Sequence, residues 1–179
     1  TDNYFNIAHN LTIHNYLYGS GTPITSDMSQ ASASIISNVS EGVGLANYSA
    51  HCGPSGWSDP SFNSSDVAGL QNIDEYGLII SNCCTPNKFD EPVCFGEALL
   101  RADNKGALGH IGASNNTYWD EDYWWSVGST SKIIANPTYS GTGLGAYDCL
   151  MHENGEQEED WFITQSQIIH AGNLAVTEA

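Results

Sequence analysis

Short apolar runs bounded by turn residues punctuate this chain, and they predict strands more clearly than helices. Tyr76 to Ser81 carries β-branched Ile79 and Ile80, long enough for one buried strand and too short for a helix. It stops at Asn82-Cys83-Cys84-Thr85-Pro86, a turn-rich cluster. One unit earlier, Val43 to Ala50 reads as a strand ending at His51, and Ala107–Gly112 (ALGHIG) reads as a third, ending at Ala113-Ser114. Between them the period changes to that of a helix. Met28, Ala31, Ile35, Ile36 and Val39 fall on one helical face, with Ser26 or Asp27 as cap and Glu41-Gly42 as the stop near Ser40.

Further elements follow from punctuation. Asn15–Tyr18 reads as a strand, residues 52–60 read as a loop, and a short helix is expected from Ser64 to about Ile73. Pro92 is placed to start a helix through Phe95, Ala98, Leu99 and Ala102, with Gly106 at its end. Tyr118 to Gly128 reads as a loop entering a helix, residues 136–160 as loop, and Trp161 to about Val176 as a last helix. Strands alternating with helices imply a parallel sheet, and right-handed crossovers align the strand ends. The expectation is one α/β domain over residues 1–179.

Alignment of strand ends gives Cys84 and His51 their interest. Open α/β folds place chemistry at the carboxyl edge of the sheet. Two neighbouring strands would deliver a thiol and an imidazole there, the pair a cysteine nucleophile needs: the imidazole promotes the thiolate and later protonates the leaving amine. The bland alternative is a packed core thiol beside a loop histidine. A metal site built from His51, Cys52, Cys83 and Cys84 fits poorly, since two adjacent pairs lack the usual ligand spacing. A redox pair would need C-x-x-C spacing, which is absent.

Composition narrows the partners. Four cationic residues (Lys88, Arg101, Lys105, Lys132) stand against 21 acids, a formal net charge of −17, with charged residues at only 14 %. Such a field repels nucleic acid and anionic membranes. No apolar run is long enough to span a bilayer, and the polar opening Thr1-Asp2-Asn3 is not a signal peptide, so Thr1 reads as the start of a processed or truncated product. Five cysteines leave at least one unpaired if no other chain contributes, and a disulfide scaffold is disfavoured.

Asp120, Glu121 and Asp122 stand among Tyr118, Trp119, Tyr123, Trp124 and Trp125. They could wall a pocket with a negative floor for a long cationic side chain. They equally fit a first helical turn that favours acids, followed by core aromatics. The acidic run Glu153–Asp160 reads as a solvated face or, as a minor option, a structural calcium loop. No cofactor is required for the chemistry.

In order, the segments Ala46-Asn-Tyr-Ser-Ala-His51, Trp57-Ser-Asp-Pro60, Ser81-Asn-Cys-Cys84, Phe89-Asp90, Cys94-Phe-Gly-Glu97, Ile111-Gly-Ala-Ser114, Tyr118-Trp119, Glu121-Asp122-Tyr123, Trp125-Ser-Val-Gly128 and Ala171-Gly-Asn-Leu-Ala175 resemble the gingipains, most nearly the lysine-specific kind. These are secreted or surface cysteine peptidases with a caspase-like fold, a three-layer sandwich. The resemblance implies that Cys84 is the nucleophile and His51 the catalytic imidazole. Backbone amides of Cys84 and Cys52 would hold the oxyanion. Asp122 would accept a lysine ammonium, with Trp119, Tyr118, Ser114 and Asn82 also lining the substrate site. The expected reaction is cleavage after lysine through a thioester.

This chain departs from that pattern at residue 52, where the family usually has glycine. It also resembles only the later half of a catalytic domain, without the earlier half, the acidic partner of the histidine or the final segment. The missing half of its own precursor is then an expected partner, besides lysine-containing peptides and proteins. A non-catalytic surface or binding module, and a processing enzyme that transfers the acyl group to an amine, are the rival expectations.

Overall fold

The run with Ile79 and Ile80 forms the middle strand of a parallel sheet, as its apolar character on both faces requires. The structure, a computed structural model, describes residues 12–16, 28–128, 145–151 and 164–179. Its strands are β1 (Leu45–Ser49), β2 (Cys52–Gly53), β3 (Gly56–Trp57), β4 (Phe62–Asn63), β5 (Gly77–Asn82) and β6 (Ala107–Gly112). Its helices are α1 (Met28–Ser40), α2 (Phe95–Arg101), α3 (Trp119–Val127), α4 (Ala146–Met151) and α5 (Gln165–Glu178). The larger sheet has the order β1-β5-β6 with both pairs parallel. The mixed α/β class and the parallel sheet are therefore as expected.

The chain divides into two compact units, residues 14–117 and residues 118–179 with those up to 13. The first contains both sheets, α1 and α2. Ile35 and Val39 of α1, Tyr48, Ile79, and Phe95 and Leu99 of α2 share one apolar cluster with Trp57, Phe62, Val67 and Leu70. Trp57 is its hub: the indole stacks on Tyr48 (centroids 4.7 Å) and meets Phe62 and Phe95 edge-on at 5.2 and 5.9 Å. Ile80, side by side with Ile111 in the ladder, is buried from the opposite face.

Several expectations shift. Residues 52–60 are not simply loop. Together with Phe62 and Asn63 they form the small antiparallel sheet β2-β3-β4. Its strands are two residues long, too short for a period to show. Gly56, at φ +130, lets β3 lie so close to β4 that a Cβ would overlap the Phe62 carbonyl. The helix expected from Ser64 shrinks to a single 3-10 turn, Asp66–Gly69. The helix assigned to Pro92 starts at Phe95 instead, because Cys94 is its extended N-cap and the Glu97 carboxylate accepts from the Cys94 N–H (3.1 Å). Gly106 does not end that helix. It lies just before β6 at φ +96, and the buried Asn72 amide bonds both its N–H and its carbonyl, at 3.0 and 2.8 Å.

In the second unit α3 occupies the expected place. The stretch read as loop contains α4, and the last helix begins at Gln165 behind the N-cap Thr164. Trp125 of α3 sits edge-on to Tyr147 of α4 at 6.3 Å. It also lies on Gly172 of α5, where any side chain would collide with the indole. Asn15 and Tyr16 are not in a strand. Leu17, Tyr18, Ser26, Asp27 and the acidic run Glu153–Asp160 lie outside the described residues.

Candidate active site

Parallel pairing puts the ends of β1, β5 and β6 on one edge. The last register pair of β1 and β5 is Ser49 with Asn82. His51 lies two residues beyond Ser49 and Cys84 two residues beyond Asn82, so imidazole and thiol leave adjacent strands at the same level. His51 is exposed and Cys84 half-buried. Ser114 follows β6 at that edge, also exposed, and Asn82 ends β5 half-buried.

Backbone bonds hold each of these turns. The Tyr48 hydroxyl donates to the His51 carbonyl at 2.6 Å, and the Ser58 N–H donates to it at 3.1 Å. On the other side the Cys83 N–H bonds the Ser81 carbonyl (3.0 Å) and the Thr85 N–H bonds the Asn115 carbonyl (3.0 Å). Thr85 takes φ +59, a left-handed step that turns the chain sharply after the thiol. The Thr117 N–H donates to the Cys84 sulfur at 3.4 Å, with the Thr117 carbonyl at 3.5 Å and its hydroxyl at 3.7 Å. These contacts hold the thiol against the backbone and hydroxyl of Thr117. Nothing in a loop threonine's sequence context announces this role.

One prior expectation is overturned here. Cys52 and Cys83 form a disulfide, with Cα atoms 5.6 Å apart. Odd cysteine count and adjacency argued against bridging, but neither constrains a pair separated by 31 residues that topology brings together. The bridge also removes two ligands from the alternative metal site, since a disulfide sulfur offers no thiolate. Cys84 and Cys94 are free thiols. Cys94 is completely buried and burial pushes its thiol pKa up, so it is the inert core cysteine. Cys52, at the position where the family usually has glycine, is a β2 residue and is not among those with positive φ.

A part-buried polar relay that sequence reasoning missed links β3, β5 and β6. The Trp57 indole N–H donates to Ser81 Oγ (2.7 Å), and Ser81 Oγ lies 2.9 Å from His110 Nε2. His110 Nδ1 lies 2.8 Å from Asn87 Oδ1, and Asn87 Nδ2 donates to the Gly112 carbonyl (3.0 Å). Every group is satisfied when His110 is neutral with its proton on Nδ1 and Ser81 donates to Nε2. Burial accordingly pushes the His110 pKa down to about 4. The relay anchors Asn87, three residues after Cys84, to β6. A lone histidine in ALGHIG gave no signal beyond interrupting an apolar run.

Asp122 belongs to the other unit. Asp120, Glu121 and Asp122 form the first turn of α3, where the helix dipole favours acids. Asp122 is half-buried, and its carbonyl accepts from the Ser126 hydroxyl at 2.7 Å. Tyr118 and Trp119 are 69 % and 59 % exposed, unlike core aromatics, whereas Trp125 is packed against its own unit's helices.

Lys-gingipain of Porphyromonas gingivalis is 45 % identical over 144 residues, 80 % of this chain but 8 % of that protein. Lys-gingipain W83 of Porphyromonas gingivalis is 40 % identical over 98 % of this chain and 9 % of its own length. This chain therefore spans under a tenth of the length of these Lys-gingipains. A solved structure described as a protease superposes with a TM-score of 0.72 at 43 % identity, covering 80 % of this chain and 30 % of that one. The Arg-specific cysteine proteinase gingipain R superposes at 0.62 with 20 % identity, covering 82 % and 31 %, which supports the caspase-like α/β fold alone. A family model, Peptidase family C25, matches residues 3–165. With nearly its whole length under that model, the chain belongs to peptidase family C25.

Proposed function

We propose that this chain carries the nucleophile and the imidazole of a cysteine endopeptidase that cleaves after lysine. The observation that carries it is the common edge: Cys84 and His51 follow register-matched neighbouring strands. In the reaction, the Cys84 thiolate attacks the scissile carbonyl and the oxyanion accepts from the Cys84 and Cys52 amides. His51 gives its proton to the leaving amine, a thioester remains, and water activated by His51 releases the acid product. Asp122 is the proposed partner of the substrate ammonium, and Trp119, Tyr118, Ser114 and Asn82 are the other residues proposed to contact substrate.

Lysine is preferred over arginine because the Lys-gingipain matches cover 80 % of the chain at 45 % identity, against 48 % at 33 % for Gingipain R2. We further propose a secreted or surface location. The Cys52–Cys83 disulfide supports an oxidising compartment, and no helix among the described residues is long and apolar enough to cross a membrane. The remaining part of the same precursor is the proposed partner; a related solved structure is a complex of RgpB pro- and mature domains.

The test uses lysyl peptide substrates and a thiol-reactive lysyl analogue. Cys84→Ala is expected to lose both hydrolysis and labelling while keeping its fold. Asp122→Asn is expected to lower kcat/KM for lysyl substrates on the order of 30-fold, with little change for uncharged ones. Full activity in Cys84→Ala sinks the assignment, and labelling without hydrolysis favours a binding module.

A further inference from the structure

The β1–β5 ladder ends at Ser49 and Asn82, so ladder bonds no longer hold the chain at the two residues that matter most. The disulfide takes over there. It joins the residue directly after His51 to the residue directly before Cys84. A glycine at position 52, expected from the family resemblance, could make no such link.

We propose that Cys52 and Cys83 are positioning residues for the peptidase reaction, their disulfide fixing the spacing of the two backbone amides that receive the oxyanion. The inference rests on the reading of His51 and Cys84 as the catalytic pair. One of those amides is the N–H of Cys52 itself. The other, the N–H of Cys84, belongs to the peptide unit that begins at Cys83. A covalent bridge between 52 and 83 therefore spans the hole from one donor to the other.

Packing reinforces the link. Cys52 Sγ lies 3.0 Å from the Cys84 carbonyl oxygen. A disulfide sulfur has no proton to donate, so this is a close contact, and it restrains the next peptide unit, from Cys84 to Thr85, on the far side of the thiol. Cys83 is buried to 1 % exposure, and the outer flanks are tied through the His51 carbonyl and the Thr85 N–H. With both flanks fixed and the centre bridged, the turns cannot drift apart independently.

Oxyanion donors act on charge that develops only in the transition state, so loosening them reduces kcat more than substrate binding. The working enzyme then needs two different sulfur states at once, a free thiol at Cys84 and a disulfide one residue away. Reductant strong enough to open the bridge has to slow catalysis rather than support it.

The experiment compares wild type with the double variant Cys52→Gly, Cys83→Ala, each expressed from its complete coding sequence. Hydrolysis of a lysyl peptide amide is measured per titrated Cys84, with and without reductant. Bridge state is read by mass spectrometry of alkylated peptides, and folding by thermal melting. The variant is expected to lose on the order of 10- to 100-fold in kcat, with KM within about twofold. Reduced wild type is expected to fall to the same level, and the variant to ignore reductant. If the variant fails to fold, the reduced wild type gives the same reading. Unchanged kcat per titrated site with the bridge absent overturns the proposal. A wild type that hydrolyses no lysyl peptide overturns the peptidase reading instead.

Discussion

The sheet unit and the helical unit are held by different means. In residues 14–117 polar groups are buried and tied across elements distant in sequence: Trp57 to Ser81, His110 to Asn87, Asn72 to Gly106, Cys52 to Cys83. Among the described residues of 118–179, polar devices within single helices include acids in the first turn of α3 and a capping box at the start of α5. The contrast suits the jobs proposed for them. Nucleophile chemistry needs atoms from separate strands fixed against one another, whereas recognising a cationic side chain needs a carboxylate that a single helical turn can present.

The largest effect expected from this contrast is chemical. His51→Ala leaves the strands, the disulfide and the Tyr48 bond to the residue-51 carbonyl in place, because that bond is to backbone. Loss of a general acid–base is expected to lower kcat on the order of 10³-fold, with melting temperature little changed. Steady-state kinetics beside thermal melting separates the two. A parallel fall in stability would show that the exposed imidazole is structural, and the assignment of strand-end chemistry to this unit would fail.

What was legible in the sequence follows the same division. Strand ends were readable because β5 and β6 are short, mainly apolar runs bounded by turn residues, and α1 because Ala31, Ile35 and Val39 keep one face. The Cys84–His51 edge followed from strand parallelism alone. The disulfide, the His110 relay and the Thr117 contact were not readable, since each joins residues at least 23 positions apart through one side chain. Two-residue strands such as β2 and β3 leave no period to detect. The late start of α2 was hidden because cysteine is an unusual N-cap, and Pro92 offered a more ordinary helix start.

Next in size is the pH dependence of the sheet unit. His110 titrates near 4 in the folded protein against 6.5 when unfolded. The unfolded chain takes up the proton first. Stability is therefore complete above pH 6.5, declines as pH falls towards 4 and levels off below. The full loss is about 3 kcal/mol, of which about 2 kcal/mol appears above pH 5, ahead of ordinary carboxylates. Denaturant unfolding at pH 7, 6 and 5 measures it. His110→Gln is expected to flatten that slope, and an unchanged slope would place its source elsewhere.

The smallest effect is expected where stabilisation is local. Thr164 caps α5: its hydroxyl accepts from the Gln167 N–H at 3.2 Å, while the Gln167 side-chain oxygen accepts from the Thr164 N–H at 3.0 Å. Thr164→Ala removes one half of that reciprocal pair at an exposed site, where water satisfies the freed N–H. The expected cost is about 1 kcal/mol. Hydrogen exchange gives the discriminating readout, because faster exchange should be confined to the first turn of α5 while amides of β5 and β6 keep their protection. Loss of protection throughout the sheet unit would mean that this cap works at long range, and the division between cross-tied and locally held regions would have to be abandoned.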